Sequence, residues 1–271
     1  MISADMEGAT GVTGPRDVEP RGDEWHRFRS LFTADVNAVA LGLLEGGVDD
    51  ILVNEAHSSM RNLVLEDLDD RVRMLTGRHK PLGMMQGIDE ADGVVFLGYH
   101  TGAGTRGVLA HTYLPNAILQ VRLDGVPASE GRLNAQVAAE HGVPVVLVTG
   151  DDMTCTDAAG YAAEAERIAV KEYVSRYAAI CLTPARSQRL QHDGAVRAAA
   201  HVGRTEPNVV GHRIEVEFDA VQLADAAAIV PTVELSGERT VAFEAATMVE
   251  AMMAFKVVTT VASSARESTY D

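Results

Sequence analysis

Three short apolar runs in this chain each end in residues able to hold a metal ion or move a proton. Ile2-Ser3-Ala4 is followed by Asp5-Met6-Glu7-Gly8, Ile51-Leu52-Val53 by Asn54-Glu55-Ala56-His57, and Val94-Val95-Phe96-Leu97 by Gly98-Tyr99-His100. Asp5 and Glu7 stand two apart, so on extended backbone their side chains project to the same side. Carboxylate oxygens combined with imidazole nitrogens form a donor set that suits zinc, with manganese or cobalt as substitutes. A carboxylate shared by two ions would make a two-metal hydrolase centre, with the ions about 3.5–4 Å apart. Taken singly, each residue has an ordinary explanation, the Asp as a turn or helix cap and the His as a hydrogen-bonded surface group. Asp5, Glu7, His57 and His100 together, each behind an apolar run, favour metal.

His100 opens Thr101-Gly102-Ala103-Gly104-Thr105-Arg106-Gly107, which leads through Val108-Leu109-Ala110 to His111. Such glycine density predicts a loop whose backbone approaches something closely. The loop lacks the Gly-Lys-Ser/Thr ending of a nucleotide-binding P-loop. His111 is therefore a candidate acid/base group beside the metals, with a satisfied loop histidine as the equal alternative. Glu130 starts a helical pattern, where the helix dipole alone favours a carboxylate, and is a candidate further ligand. Asp151-Asp152 fall at the same sheet edge, where capping or supporting roles are commoner than ligation. His26, His79, His141, His192, His201 and His212 have no strand-end placement and are expected on the surface, while Met84-Met85 and Met252-Met253 read as core or interface filler.

To bring these residues together the chain needs adjacent strands. The runs named above, and Val143-Pro144-Val145-Val146-Leu147-Val148, are apolar on consecutive residues, as buried parallel strands are. Between them lie helical patterns. Phe28, Leu31, Phe32, Val36, Val39, Ala40 and Leu43 keep helical spacing over Trp25 to Glu45, and Gly46-Gly47 ends it. Glu130 to His141 and Asp157 to Tyr177 are two further helical segments. The fold class that follows is α/β, a mostly parallel sheet with helices on both faces and ligands beyond the carboxyl ends of its strands. After Pro184 the character becomes α+β: Gln188 to His201 is helical, Arg213 to Phe218 alternates like a half-exposed strand, and a last helix spans Phe243 to Ala262. Residues 1–185 are thus expected to form the α/β metal-binding catalytic domain, and 186–271 a smaller C-terminal region, either a second lobe or an extension of the first. The tail from Ser263 is expected to fray.

Composition narrows the partners. The 271 residues carry 23 Lys+Arg against 39 Asp+Glu, a net charge of −16, the wrong sign for binding nucleic acid. With 46% hydrophobic residues the chain can build a large core. No apolar run approaches the roughly 20 residues of a membrane span. Asp5 and Glu7 stand where a signal peptide would be basic and then apolar, and the two cysteines, Cys155 and Cys181, fit buried free thiols of a cytoplasmic protein better than a disulfide.

The same residues carry a family resemblance. Ser3-Ala4-Asp5-Met6-Glu7-Gly8, Val53-Asn54-Glu55-Ala56-His57-Ser58, Phe96-Leu97-Gly98-Tyr99-His100 and Gly107-Val108-Leu109-Ala110-His111 resemble the motif series of the DppA-type zinc-dependent D-aminopeptidases, and the likeness runs through Gly150-Asp151-Asp152 and Ala169-Val170-Lys171 to Cys181-Leu182-Thr183-Pro184. The resemblance implies two zinc ions per subunit. Asp5 matches the bridging ligand, Glu7 and His57 the further ligands of one ion, His100 and Glu130 those of the other, and His111 the catalytic position. Glu130-Gly131-Arg132-Leu133-Asn134 keeps the Glu and the Leu-Asn of that motif but differs between them. The resemblance further implies a ring-shaped homo-decamer with its sites facing an interior channel, acting on short peptides with a D-configured N-terminal residue. Three carboxylates against two divalent ions leave a small positive excess, which favours deprotonating water near neutral pH. Two rival readings stand beside this one. A dinuclear amidase or phosphoesterase keeps the metals but changes the bond, with only Arg106 and Lys171 as obvious phosphate partners. A non-catalytic, metal-stabilised peptide-binding protein fits less well, because structural zinc sites are usually closed and Cys-rich.

Overall fold

The computed structural model describes residues 1–266, so the tail expected to fray lies, from residue 267 on, outside the described residues. The chain begins with β1 (Ile2–Ala4), a single turn α1 (Pro15–Val18), the long helix α2 (Trp25–Glu45), β2 (Ile51–Glu55), β3 (Val72–Leu75) and β4 (Val94–Leu97). A hairpin β5 (Ile118–Leu123) and β6 (Val126–Pro127) leads to α3 (Glu130–Glu140), β7 (Val145–Asp151), α4 (Asp152–Ala158), β8 (Glu166–Ser175) and β9 (Ala178–Cys181). The remainder comprises α5 (Pro184–Ala198), β10 (His212–Phe218), α6 (Val221–Ala227), β11 (Glu234–Leu235), β12 (Thr240–Ala245) and α7 (Met248–Ser263).

The main sheet has seven strands in the order β3-β2-β1-β4-β7-β8-β9, parallel except where β9 folds back on β8. Its central strands are apolar on consecutive residues because both faces are covered. On one face, Phe32, Val36 and Val39 of α2 and Ala195 and Ala198 of α5 close over Ile2, Val53, Val95 and Leu97. On the other, Phe96 packs into a core with Leu133 and Val137 of α3 and Phe255 of α7. That core continues without a break into Val216 and Phe243 of the second sheet, antiparallel and ordered β11-β12-β10-β5-β6. This second sheet draws β5 and β6 from before residue 185, while α5, just after it, packs on α2.

Four local expectations are corrected. The helix expected over 157–177 is absent, since helix ends at Ala158 and Glu166–Ser175 is strand β8, paired with both β7 and β9. Ile168, Val170, Tyr173 and Val174 suit a sheet, and it was the alanines ahead of them that supplied the helical spacing. Phe243 belongs to β12 rather than to the last helix, which starts at Met248 behind the capping Thr247 hydroxyl. Cys155 and Cys181 are both free, but as thiols they are not buried: Cys155 is half-buried and Cys181 is exposed on the edge strand. Among the histidines expected at the surface, His212 is buried against Asp124.

Candidate metal centre and its cavity

Strand β1 lies at the point where the strand order reverses, with β2 and β3 to one side and β4, β7 and β8 to the other. A crevice opens outside the carboxyl ends of strands at such a point. Asp5 and Glu7 leave β1 there, His57 leaves β2 and His100 leaves β4. Glu130 is the first residue of α3, behind the capping Ser129, and His111 arrives on the glycine-rich loop. The exits of β1 and β4 are pressed together: Asp5 N donates to Leu97 O (2.8 Å) and Gly8 N to Gly98 O (2.7 Å). A β-carbon on Gly8 would lie 2.0 Å from Tyr99 O, so only glycine permits this approach. The fold brings all six sequence-identified residues into one cluster, and all but half-buried His111 are buried.

In each of the three histidines a backbone carbonyl takes one ring N–H and thereby fixes the tautomer. His57 Nε2 donates to Val18 O (3.1 Å), His100 Nδ1 to Thr101 O (3.0 Å) and His111 Nδ1 to Leu109 O (2.8 Å). The opposite nitrogen is left bare toward the carboxylates, an orientation typical of metal-ligating histidines. Asp5 divides its oxygens between two of them, Oδ1 lying 3.3 Å from His57 Nδ1 and Oδ2 lying 3.4 Å from His100 Nε2. Both spacings match the edge of a tetrahedron with zinc–ligand bonds of about 2.0–2.1 Å, which is roughly 3.3 Å. Glu7 Oε2 stands 2.6 Å from His57 Nδ1 with no hydrogen bond between them. Asp5 Oδ2, Glu7 Oε2 and His100 Nε2 are buried with no hydrogen-bond partner. Converging buried lone pairs without donors are costly, and a cation relieves that cost. The donor atoms fall into overlapping groups able to hold an ion, Asp5 with Glu7 and His57, Asp5 with His100 and Glu130, and Glu7 with His100 and His111. The residues fit a metal.

The charges point the same way. Burial opposes the His57 imidazolium, yet Glu7 and Asp5 outweigh it and hold its pKa well above the ordinary value. Burial likewise opposes the His100 imidazolium, but Glu130 and Asp5 hold it up at about 10. Burial pushes Asp5 up, and the close approach of the His100 and His57 rings more than reverses it. Burial, then the neighbouring Asp5, raises Glu7, and burial pushes Glu130 up to about 7. His111 goes the other way. Burial and repulsion from His100, whose ring stacks on it at 4.2 Å, pull its pKa down to about 3. Positive charge is wanted beside His57 and His100, and His111 stays neutral.

Further residues support the cluster, among them Asp151 in the capping role its position suggested, and Lys171 and Glu55 in roles the sequence did not indicate. Lys171, on β8, is buried beneath the β1 exit and donates to the carbonyls of Glu7 (2.8 Å), Ala9 (3.0 Å) and Val12 (2.6 Å). Burial pulls its pKa down to about 8, and with its donors so committed it is no phosphate partner. Arg106, the other cation considered for phosphate, is exposed and outside the cavity lining. Glu55 accepts from the backbone and side chain of Asn62, whose amide also donates to His57 O, so this carboxylate shapes the His57 turn. Asp151 caps α4 and its Oδ2 accepts from Val108 N (2.6 Å), securing the loop that carries His111. The motif series contains Glu55, Asp151 and Lys171, but nothing local to Lys171 announces its contact with the β1 exit.

Asp5, Glu7, His57, His111 and Glu130 line a cavity of about 610 Å³, whose wall also includes the apolar side chains of Met84, Leu114 and Phe255. That volume suits a small molecule or short peptide. A parallel α/β sheet with shared carboxylate–imidazole donors at its switch point, opening beside a neutral histidine, defines a metal-dependent hydrolase. The family model described as D-aminopeptidase matches residues 1–257. The D-aminopeptidase of Bacillus subtilis (strain 168) is 33% identical over 265 residues, covering 96% of each chain. The solved structure described as Zn-dependent D-aminopeptidase DppA from Bacillus subtilis, a self-compartmentalizing protease, superposes with a TM-score of 0.93 at 33% identity over 98% of each chain. The chain belongs to the D-aminopeptidase family of peptidases.

Proposed function

We propose that this chain is a zinc-dependent aminopeptidase that releases the N-terminal residue, D-configured, from short peptides at a dinuclear centre. The observation that carries the reading is Asp5, buried and presenting one oxygen to His57 and the other to His100. Asp5 would bridge, with Glu7 and His57 completing one ion's ligands and His100 and Glu130 the other's. When bound, the metal supplies Lewis acidity, polarising the scissile carbonyl and lowering the pKa of water. His111 moves the proton. Its Nδ1–H is held by Leu109 O, so Nε2 is the free base facing the site, 3.7 Å from Glu7 Oε1 and 3.8 Å from Glu130 Oε1. Nε2 takes a proton from the attacking water as the C–O bond forms, and returns it to the amine nitrogen as the C–N bond breaks.

The chain would act as a ring-shaped homo-decamer with sites facing its interior; that a relative is described as self-compartmentalizing supports the homo-oligomer. Exposed Val174, Tyr177 and Ile180 on the β8–β9 hairpin offer apolar surface for a neighbouring copy. Free thiols, one of them exposed, support a cytoplasmic setting. The core continuous between the two sheets supports a single domain in place of a boundary at residue 185. The test is metal analysis of the purified protein followed by hydrolysis of D- and L-alanyl dipeptides and amides, with and without chelator. Two zinc ions per chain and chelator-sensitive release of D-alanine are expected. No metal-dependent release from any substrate would overturn the reading, and faster L-alanine release would overturn its stereochemical part.

A further inference from the structure

We infer that Arg176 is the anchor for the free carboxylate of the substrate, so that the site, read as an aminopeptidase centre, selects dipeptides over their C-terminal amides. Arg176 forms the turn between β8 and β9 and lines the same cavity as Asp5, Glu7, His57 and His111. Its Nε is buried without a hydrogen-bond partner, and no carboxylate among the described residues pairs with it. Its guanidinium carbon lies 5.5 Å from the Tyr177 ring. A half-buried guanidinium lacking an acceptor is suited to a planar anion that arrives with the ligand, and a carboxylate fits it with two parallel hydrogen bonds.

The other cations of the wall are otherwise occupied or exposed. Lys80 donates to Asn54 Oδ1 and to Glu55 O, and Lys256 donates to Lys80 O (2.8 Å). Arg78 is exposed. Arg176 is also joined to the proton-transfer residue. Its carbonyl accepts from Leu109 N (2.8 Å), and Leu109, held at φ +54°, turns its own carbonyl to His111 Nδ1 (2.8 Å). In a dipeptide the carboxylate lies one residue beyond the scissile carbonyl, where consecutive α-carbons are about 3.8 Å apart. It must therefore enter a cavity that already presents Asp5, Glu7, Glu19 and Glu130, and a cation on the same wall is what such an anion needs.

The experiment compares kcat/KM for D-alanyl-D-alanine with that for D-alanyl-D-alaninamide, in the metal-loaded wild type and in Arg176→Gln. The wild type is expected to favour the free acid, and the substitution to lower the acid-to-amide ratio by about 10–100-fold, as for loss of hydrogen bonds to a charged group. Two results would overturn the inference. One is a wild-type ratio near unity. The other is an equal fall for both substrates in Arg176→Gln, which would reduce Arg176 to support of Leu109. Arg176→Lys, which keeps the charge and loses the fork, is expected to retain part of the ratio and serves if the Gln variant does not fold. Failure to cleave either substrate would instead count against the aminopeptidase reading itself.

Discussion

Replacing Lys171 by Met is expected to loosen the segment that carries Glu7 without altering any donor atom of the cluster. Its ammonium fastens three carbonyls over the stretch from Glu7 to Val12, from a strand about 160 residues later in the chain. Met fills similar space but donates nothing, so three buried carbonyls lose their partner. At about 2 kcal/mol for each orphaned group, the loss is about 6 kcal/mol. Removing a buried ammonium offsets part of this. Burial holds Lys171 at about 8, against about 10.4 for an unperturbed lysine, which corresponds to about 3 kcal/mol. A net loss of about 3 kcal/mol remains, large for a single substitution.

The loss falls on one loop, so it is read in two ways. Urea unfolding of the metal-free protein gives the global term. Chelator competition gives zinc affinity, which is expected to weaken by about 10–100-fold, as when a residue supporting a metal ligand is removed. The reasoning is refuted if stability falls by less than about 1 kcal/mol and zinc affinity is unchanged. Destabilisation with unchanged zinc affinity would show that Glu7 is held by β1 and the Gly8–Gly98 clasp alone.

Three further outcomes follow from the site. His111→Ala is expected to lower kcat by about 10²–10⁴-fold with metal content intact; loss of an ion on metal analysis would instead make His111 a ligand. Gly8→Ala, whose new β-carbon meets Tyr99 O at 2.0 Å, is expected to destabilise by about 2–3 kcal/mol in thermal unfolding, and an unchanged melting temperature would show that the β1 and β4 exits can part. Burial pushes the Asp35 carboxyl, bound to Thr10, up to about 6. Between about pH 4 and 6 the folded chain therefore keeps a proton that the unfolded chain has lost, and this group's contribution falls as pH rises, by up to about 3 kcal/mol. Asp35→Asn should remove that slope, so urea midpoints of variant and wild type that keep a constant separation from pH 4 to 7 would contradict it.

The cluster was legible because its residues follow features visible in the sequence. Consecutive apolar residues mark buried parallel strands, and Asp5, His57 and His100 stand just beyond them. The helix Trp25–Glu45 was legible to the residue, because its apolar stripe is long and Gly46-Gly47 stops it. What remained hidden was non-local. Strand β8 reads as helix until β7 and β9 are seen on either side of it. The β5–β6 hairpin joins strands that come some 90 residues later, and a pairing of that range leaves no periodicity to find. Lys171 and Arg176 follow from the same hidden strand. One is buried under the carboxylate–histidine cluster and the other lines its cavity, and both roles exist only once β8 is placed beside β7.

The net charge of −16 gives a final way to separate field from contact. At neutral pH a dipeptide is a zwitterion with no net charge, whereas its amide carries +1. The field of the whole protein acts on net charge, so it raises the encounter rate of the amide and leaves that of the dipeptide nearly alone. Salt screens this field over about 10 Å at 0.1 M. A contact between a carboxylate and the half-buried Arg176 guanidinium is short and screened far less. Raising salt from about 10 mM to about 200 mM should therefore lower kcat/KM for the amide more than for the dipeptide and widen the ratio between them. A ratio that stays constant would remove steering by the surface charge and leave the Arg176 contact standing. A ratio that narrows, because the dipeptide loses more than the amide, would mean that its carboxylate is held by exposed charge such as Arg78 rather than at Arg176.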